Sequence, residues 1–290
     1  MNQLHGSCYR SLHYFMCLVL LLTMSVCVHA QQPNSKPPVY VGYLYIKTEP
    51  GKFDSYDSLL RNYTKKIFDS EVKTGDYLSW QIYEVLSPSG AQAEYDLVGV
   101  TVTTRFDLLL DPPGTNREIF KKYFPNISDK QYAEIAKKYA SSRTLVKREI
   151  YTQTSSTGDD GPPTQSPAKY VQVDFMTPQA GKRAEYAKIE GETFKAIHKE
   201  RIKLGALKGW VLLEKVLPGD TDDPAPFVTV NFYDDFNSML NGKYAEAIKA
   251  AYPSSDIDKM FNDVNTVKKR QQIQVWKLMM ADDKQGVVAK

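Results

Sequence analysis

Two glutamates interrupt apolar strand patterns at matching points of the chain. Glu84 lies in "GDYLSWQIYEVLSPSG" and Glu214 in "GALKGWVLLEKVLPG", and each follows a glycine and a tryptophan at the same distances. Burial raises the pKa of a carboxyl group and suits it to proton transfer. The alternative is a structural glutamate near a strand end, solvated or paired with an arginine such as Arg148 or Arg270. The sequence favours the structural interpretation.

A single histidine is the second candidate for acid–base chemistry. His198 lies in "FKAIHKERIK", where apolar residues recur at helical spacing. Close to a pocket it would act as a general base. A histidine at the edge of a helix's apolar stripe is the simpler interpretation, because no other residue of the sequence forms a dyad with it. The sequence assigns no catalytic residue, and the candidates it offers are His198, Glu214 and Asn231.

The first thirty residues have the three parts of a secretory signal. Arg10 is their only charge, an apolar run follows, and the segment ends in the small-x-small pattern Val28-His29-Ala30. The apolar run is shorter than the ~20 residues of a membrane-spanning helix, which disfavours an uncleaved anchor. We predict cleavage after Ala30 and an exported protein, periplasmic or secreted, with no membrane span after signal removal.

The composition after Ala30 excludes several kinds of chemistry. All three cysteines and three of the four histidines precede that point, so His198 is the only histidine of the predicted mature chain. A structural zinc site needs Cys or His clusters, and a thiol nucleophile needs a cysteine. We therefore predict no metal site, and we also expect no cofactor. The remaining 36 basic and 34 acidic residues form no basic stripe, which argues against a nucleic-acid partner.

The two glutamate strands belong to a longer internal repeat. An offset of 130 residues aligns Tyr40 with Tyr170 and Trp80 with Trp210 without an insertion. Each copy has strand and helix patterns in the order β-α-β-β-α-β, the ferredoxin-like unit. The predicted organisation is a signal peptide at 1–30, repeat 1 at 38–153, a linker at 154–168, repeat 2 at 169–280 and a tail at 281–290.

These units predict an α+β protein in which two tandem ferredoxin-like repeats form an intrachain pseudo-dimeric α/β barrel. In the stretches "ETFKAIHKERIKLGALKGWVLLEKVLPG" and "FVTVNFYDDF" the chain resembles the dimeric α/β-barrel superfamily, which includes the antibiotic-biosynthesis monooxygenase-like domains. It is also similar to exported two-repeat proteins of unknown role from Bacteroidetes-type bacteria. The resemblance implies this fold but no single activity, because members of the superfamily catalyse unrelated reactions or none.

The alternation of side chains divides each strand between two faces. In the second repeat we expect Val171, Val173 and Phe175 to face the helices. The opposite face would then line a chamber between the two sheets, and its polar and aromatic residues suggest water or a ligand rather than a sealed core. The predicted ligand-binding residues are Asp174, Trp210, Glu214, Asn231, Tyr233, Gln274 and Trp276.

Three hypotheses for the function remain open. The protein binds a small apolar or aromatic molecule between its sheets, in which case Trp210 and Trp276 would form walls and Asn231 a polar anchor. Alternatively, it is a cofactor-independent monooxygenase or isomerase of the dimeric α/β-barrel type, or a structural or partner-binding module without a ligand. The sequence does not predict the oligomeric state.

Overall fold

The structure is a computed structural model that describes residues 37–90, 93–113, 117–158, 167–219, 223 and 225–282, with the side chain of residue 271 left out. The chain from Pro38 onward is one compact unit. The predicted signal peptide, most of the predicted linker and residues 283–290 of the predicted tail lie outside the described residues. Within the described part, no helix has the length and apolar character needed to cross a membrane.

The first half of the fold follows the predicted order. Its strands are β1 (Tyr40–Thr48), β2 (Ser79–Ser87), β3 (Leu97–Thr103) and β4 (Arg143–Ser156). Between β1 and β2, one continuous helix consists of α1 (Phe53–Leu59), a π-helical segment (Leu60–Thr64) and α2 (Lys65–Thr74). Between β3 and β4 lie α3 (Asp107–Leu110), α4 (Arg117–Tyr123) and α5 (Asp129–Ser142).

The second half repeats this arrangement. Its strands are β5 (Tyr170–Pro178), β6 (Gly209–Leu217), β7 (Phe227–Tyr233) and β8 (Lys268–Ala281). The helix after β5 again contains a π-helical segment (Ile189–Phe194), between α6 (Arg183–Lys188) and α7 (Lys195–Lys203). The remaining helices are α8 (Phe236–Leu240), α9 (Tyr244–Ala251) and α10 (Ile257–Asn265).

Local sequence features explain where these helices begin and end. Gly75 ends α2 with φ of 89°, a left-handed conformation that glycine adopts without the steric cost of a Cβ. Ser128 caps α5 by accepting the backbone N–H of Gln131, and the Gln131 side chain completes the predicted capping box. The two π-helical segments occupy equivalent places, so both halves widen the helix at the same point.

All eight strands form one closed antiparallel barrel in the order β1-β3-β2-β8-β5-β7-β6-β4. The long strands β4 and β8 close it, because β4 pairs with β6 and β8 pairs with β2. Both halves share one register: Tyr40 pairs with Thr103, and Tyr170 with Tyr233, as the offset of 130 residues requires. The last strands of the two halves, β4 and β8, are related by an offset of 125 residues instead. Leu44 and its equivalent Asp174 lie opposite Arg148 and Ile273, respectively.

The barrel interior is a packed core and not a chamber. Eight strands enclose a space just wide enough for side chains to fill. Tyr43 lies there among rings from both halves, with its centroid 5.1 Å from Tyr151 and 5.5 Å from Trp276. The prediction that Val171, Val173 and Phe175 face the helices is wrong, because all three belong to this interior core.

The inversion of the faces has a physical reason. Closing the strands edge to edge leaves no aqueous space inside the barrel, so the mainly apolar sides of β5, β6 and β7 turn inward, while β8 directs Gln274 and Trp276 inward. The mixed side then lies under the helices. There its polar groups need partners, and charged residues of the helices and of β8 supply them.

Candidate functional site

A cavity of about 520 Å³ lies between the sheet and the helices of the first half. The sheet contributes Leu44, Trp80 and Thr101, and the helices contribute mostly apolar and aromatic residues. Ala136, Ala140 and Leu145 are both lining and solvent-exposed, so the cavity opens to solvent beside α5 and β4. The further lining residues are Gly42, Tyr43, Ile46, Tyr56, Leu60, Thr64, Ile67, Phe68, Ile82, Gly99, Leu109, Pro112, Pro113, Phe120, Tyr132, Ile135, Tyr139, Arg143 and Arg148.

Two glycines of the sheet leave space on the side of the cavity that the sheet forms. A Cβ on Gly42 would come within 2.8 Å of Thr101 Oγ1 and 3.0 Å of a Leu109 methyl carbon, and both neighbours also line the cavity. Gly99 lies on the adjacent strand with the same outward orientation. In the second half the equivalent positions carry a glutamine and a threonine. The sequence difference therefore removes side-chain volume where the cavity lies.

The roof is formed by the helix that contains the first π-helical segment. Leu60 and Thr64 of that segment face the cavity, and Thr64 Oγ1 lies 2.7 Å from the Tyr139 hydroxyl of α5. Tyr139 in turn donates a hydrogen bond to the carbonyl of Leu59, at 3.0 Å. Deeper in, Phe68 stacks on Trp80 with ring centroids 5.4 Å apart and planes 5° apart. These contacts give the cavity walls fixed positions.

Of the lining residues in the described part of the chain, two are charged, and both are arginines of β4. A β-bulge between their positions brings Arg143 and Arg148 onto the same face of the strand. Arg148 donates a hydrogen bond to the carbonyl of Leu110, at 3.3 Å. The Nε of Arg143 is buried and has no hydrogen-bond partner among the described residues. Burial raises the pKa of the adjacent Tyr56 to about 12, and the positive charge of Arg143 and a hydrogen bond from its guanidinium oppose that shift.

In the second half, the equivalent space holds a buried polar cluster centred on Arg201 of α7. Arg201 is fully buried and donates from Nε to the carbonyl of Gly242, at 2.7 Å. Its two terminal nitrogens lie 3.3 Å from Asn231 Oδ1 and 3.1 Å from the Tyr233 hydroxyl. The guanidinium also lies over the ring of Tyr244, 3.9 Å from its centroid. The polar groups of the cluster therefore hydrogen-bond to one another and fill this space.

A carboxylate of β5 completes this cluster on the sheet side. Asp174 accepts hydrogen bonds from Gln172, at 2.9 Å, and Asn231, at 3.4 Å, and Arg270 lies 3.4 Å away. Burial raises the pKa of Asp174, while the charges of Arg270, Lys268 and Arg201 and the hydrogen bond from Gln172 oppose the shift.

His198 belongs to the same cluster and is held as a neutral ring. Its ring stacks on Trp210 with centroids 5.0 Å apart, as Phe68 stacks on Trp80 in the first half. Its Nδ1 lies 3.1 Å from Arg201. Burial lowers the pKa of His198 well below its usual value, and the positive charges of Arg201 and Lys268 lower it further. A neutral Nδ1 can accept the hydrogen bond of the guanidinium.

The structure divides the predicted site residues into three groups. Asp174, Trp210, Asn231 and Tyr233 lie together under the helices of the second half, with His198, and not between two sheets. Gln274 and Trp276 lie in the barrel interior, where Gln274 accepts from Trp276 Nε1 at 2.8 Å and donates to the Tyr95 hydroxyl at 2.6 Å.

Glu214 lies apart from both groups. It accepts two hydrogen bonds from Arg183 at the partly exposed edge of the helix layer, at 2.7 and 2.9 Å. Its partner is therefore neither Arg148 nor Arg270. The expected chamber that would unite the predicted residues does not form.

Sequence reasoning missed Arg201 and Arg143. Arg201 follows His198 by three residues, so it lies on the same helix face, directed toward the sheet. A charged residue on the buried face of a helix indicates a polar partner opposite, and that spacing could have revealed the cluster. Arg143 gave no comparable indication, because its orientation depends on the bulge in β4.

Comparison with solved structures supports the fold. A proposed monooxygenase from Fusobacterium nucleatum matches at a TM-score of 0.50 and 12% identity, over 88% of this chain and 98% of that one. The fold is that of the dimeric α/β barrels. A heme-binding protein from Thermus thermophilus matches at 0.48 and 13% identity (86% and 93% covered), and a proposed chlorite dismutase at 0.46 and 15% (86% and 97%). No protein-family model and no curated protein matches the chain.

Proposed function

We propose that the protein binds a small, mainly apolar or aromatic molecule in the cavity of the first half. The observation that carries this proposal is the cavity itself, whose volume and apolar walls with few polar groups are typical of small-molecule sites. The ligand lies between sheet and helices, whereas the sequence had suggested the space between two sheets. That space is filled by the aromatic core of the barrel.

We further propose that the barrel is an intrachain pseudo-dimer of two ferredoxin-like copies, with the repeat and linker boundaries given above. The equal strand order and register of the halves support this. Export after cleavage at Ala30, and kinship with exported two-repeat proteins of Bacteroidetes-type bacteria, remain proposals that rest on the sequence alone.

Binding is better supported than catalysis. A cofactor-independent monooxygenase or isomerase remains the alternative, and it rests on the fold shared with the Fusobacterium protein, which is weak ground for an activity. His198, Asn231 and Glu214 do not line the cavity. A substrate bound there would therefore meet none of the catalytic candidates.

The cavity also lacks a histidine for a haem iron. One structural neighbour binds haem, and histidine is a common axial ligand. His198, the only histidine of the described residues, is enclosed in the second half, where Trp210 covers its ring and Arg201 faces Nδ1. Those residues do not fit a haem site. The described residues also contain no cluster of three or more metal-ligating side chains.

The test uses a substitution taken from the second half. Phe194 is the equivalent of Thr64, so Thr64→Phe should fill the cavity with a side chain that the scaffold already accommodates. The probe is N-phenyl-1-naphthylamine, an uncharged aromatic molecule that fluoresces in apolar sites. We expect saturable binding to the wild type and at least tenfold weaker binding to Thr64→Phe.

The control is Ser55→Phe, which adds the same side chain at an exposed position of the same helix. It should bind the probe like the wild type. Native mass spectrometry of protein from its own host should also show a bound small molecule in the wild type. Absence of probe binding to the wild type, or equal binding to Thr64→Phe, would contradict the proposed function and leave the structural or partner-binding hypothesis.

A further inference from the structure

The geometry points to a carboxylate on the ligand of the first-half cavity, held by Arg143. This inference rests on the proposed function and names the class of ligand: a molecule with an aromatic or aliphatic body and one carboxylate group. The ligand's carboxylate would take the place of a side-chain carboxylate that the second half carries and the first half lacks.

The second half shows the complete arrangement. Lys268 opens β8 and lies opposite Pro178 in the pairing of β5 with β8. Its ammonium is 2.6 Å from the carboxylate of Glu190, and both side chains are largely buried. The Glu190 side chain comes from the second π-helical segment. The Lys268 ammonium also lies 5.6 Å from the ring centroid of Tyr186.

The first half keeps the cation and the aromatic ring. Arg143 opens β4 and lies opposite Thr48, the equivalent of Pro178, so Arg143 and Lys268 occupy the same place in the barrel. The guanidinium lies 6.0 Å from the ring centroid of Tyr56, the equivalent of Tyr186.

The carboxylate is what the first half lacks. At the offset of 130 residues, the equivalent of Glu190 is Leu60, and Leu60 lines the cavity. The cation of this half has therefore lost its internal carboxylate partner, and a cavity lies beside it.

The charges around the cavity agree with an anionic ligand. Among the described residues, the lining contains Arg143 and Arg148 and no aspartate, glutamate or lysine. The Nε of Arg143 has no hydrogen-bond partner in the part of the chain that the structure describes. A buried guanidinium nitrogen without a hydrogen-bond partner is unfavourable, and a carboxylate presents two oxygens to the fork of guanidinium nitrogens. The apolar walls around Trp80 would enclose the body of such a ligand.

Calorimetric titration with two probes of nearly equal shape tests the inference. 2-Naphthoate has the carboxylate, and 2-naphthamide replaces it with an uncharged amide. We expect the wild type to bind 2-naphthoate at least tenfold more tightly than 2-naphthamide at neutral pH. Arg143→Gln should bind both probes with similar affinity. Arg61→Gln, which removes an exposed cation of the neighbouring helix outside the lining, should keep the wild-type preference.

A second variant restores the missing side chain. Leu60→Glu should place a carboxylate beside Arg143, as Glu190 stands beside Lys268, and should weaken 2-naphthoate binding at least tenfold. Leu60→Gln has nearly the same shape without the charge and should still prefer the acid. Binding of N-phenyl-1-naphthylamine reports whether each variant retains the cavity.

The outcomes separate the two proposals. If the wild type binds N-phenyl-1-naphthylamine but does not distinguish the acid from the amide, the carboxylate inference is overturned and the proposed function stands. The carboxylate inference is also overturned, and the proposed function stands, if Arg143→Gln still binds 2-naphthoate more tightly than 2-naphthamide. If the wild type binds none of the three probes, the proposed function fails and the inference fails with it.

Discussion

The two halves of the barrel place different side chains on the same scaffold. Under the helices, the first half has a cavity and the second half has a closed polar cluster. The stacked pairs Phe68–Trp80 and His198–Trp210 mark the same point in both. Few substitutions account for the difference: Gly42 against Gln172, Leu44 against Asp174, Glu71 against Arg201, Thr101 against Asn231, and Thr103 against Tyr233.

The two halves differ mainly in the side chains that lie between the strands and the helices. The barrel core is mainly apolar and contains residues of both halves, so substitutions there would affect both. The outward face of each half meets mainly its own helices. A polar residue on that face is tolerated when the helix supplies a partner, and small residues on it leave a cavity.

The largest expected effect is the loss of Arg201. Arg201→Ala should lower the free energy of unfolding by about 3–5 kcal/mol, because Asn231, Tyr233 and the carbonyl of Gly242 would lose a buried charged hydrogen-bond donor. The equivalent change in the first half, Glu71→Ala, removes a carboxylate whose partner Lys122 is exposed, and should cost about 1 kcal/mol. Urea unfolding of both variants measures the two costs, and equal costs would contradict the comparison.

A reciprocal exchange comes next. Phe194→Thr should destabilise the protein by about 3 kcal/mol, because it removes a buried ring from the packed second half. Thr64→Phe should change stability by less than about 1 kcal/mol, because the added ring enters existing space. Thermal unfolding compares them. A larger cost for Thr64→Phe than for Phe194→Thr would mean that the first half has no room to fill.

Sequence reasoning predicted the scaffold better than the site. The strand and helix order, the turn at Gly75 and the capping box at Ser128 follow from local patterns, because each depends on neighbouring residues. The face of β5 that turns inward does not follow from local patterns. Both of its faces are buried, so the alternation of side chains cannot show which one faces the barrel interior. Asp174 was placed on the wrong side for that reason. The contact of Arg201 with Asn231 joins distant segments and required coordinates.

A smaller effect should appear in the pH dependence of stability. Because burial lowers the pKa of His198, the unfolded chain binds a proton below about pH 6.5 while the folded chain does not. Stability is therefore lost as the pH falls through this window, by at most about 1.4 kcal/mol per pH unit. His198→Phe, which installs the first-half residue, should remove this slope.

The comparison between wild type and His198→Phe isolates the histidine. Asp174 has the opposite effect on stability. Because its pKa is raised in the folded state, the folded protein binds this proton at a higher pH than the unfolded chain does, so protonation of Asp174 favours the folded state as the pH falls. Chemical unfolding at a series of pH values measures the slope, and identical slopes for both proteins would contradict a buried neutral histidine.

The smallest expected effect on stability is that of replacing Glu84 or Glu214. Glu214→Gln should cost about 0.2–1 kcal/mol, because its partner Arg183 is half exposed. Glu84→Gln should cost less, since Phe53 stands where the second half has Arg183. Probe binding should be unchanged in both variants. A loss of binding in Glu84→Gln would instead give that carboxylate a role at the cavity.

The most direct test of the central claim is a crystal structure of the protein with 2-naphthoate. The account predicts the naphthyl ring inside the first-half cavity, near Trp80, with the carboxylate in hydrogen-bond contact with the Nε of Arg143. A ligand bound elsewhere, or bound in the cavity with its carboxylate directed away from Arg143, would contradict it.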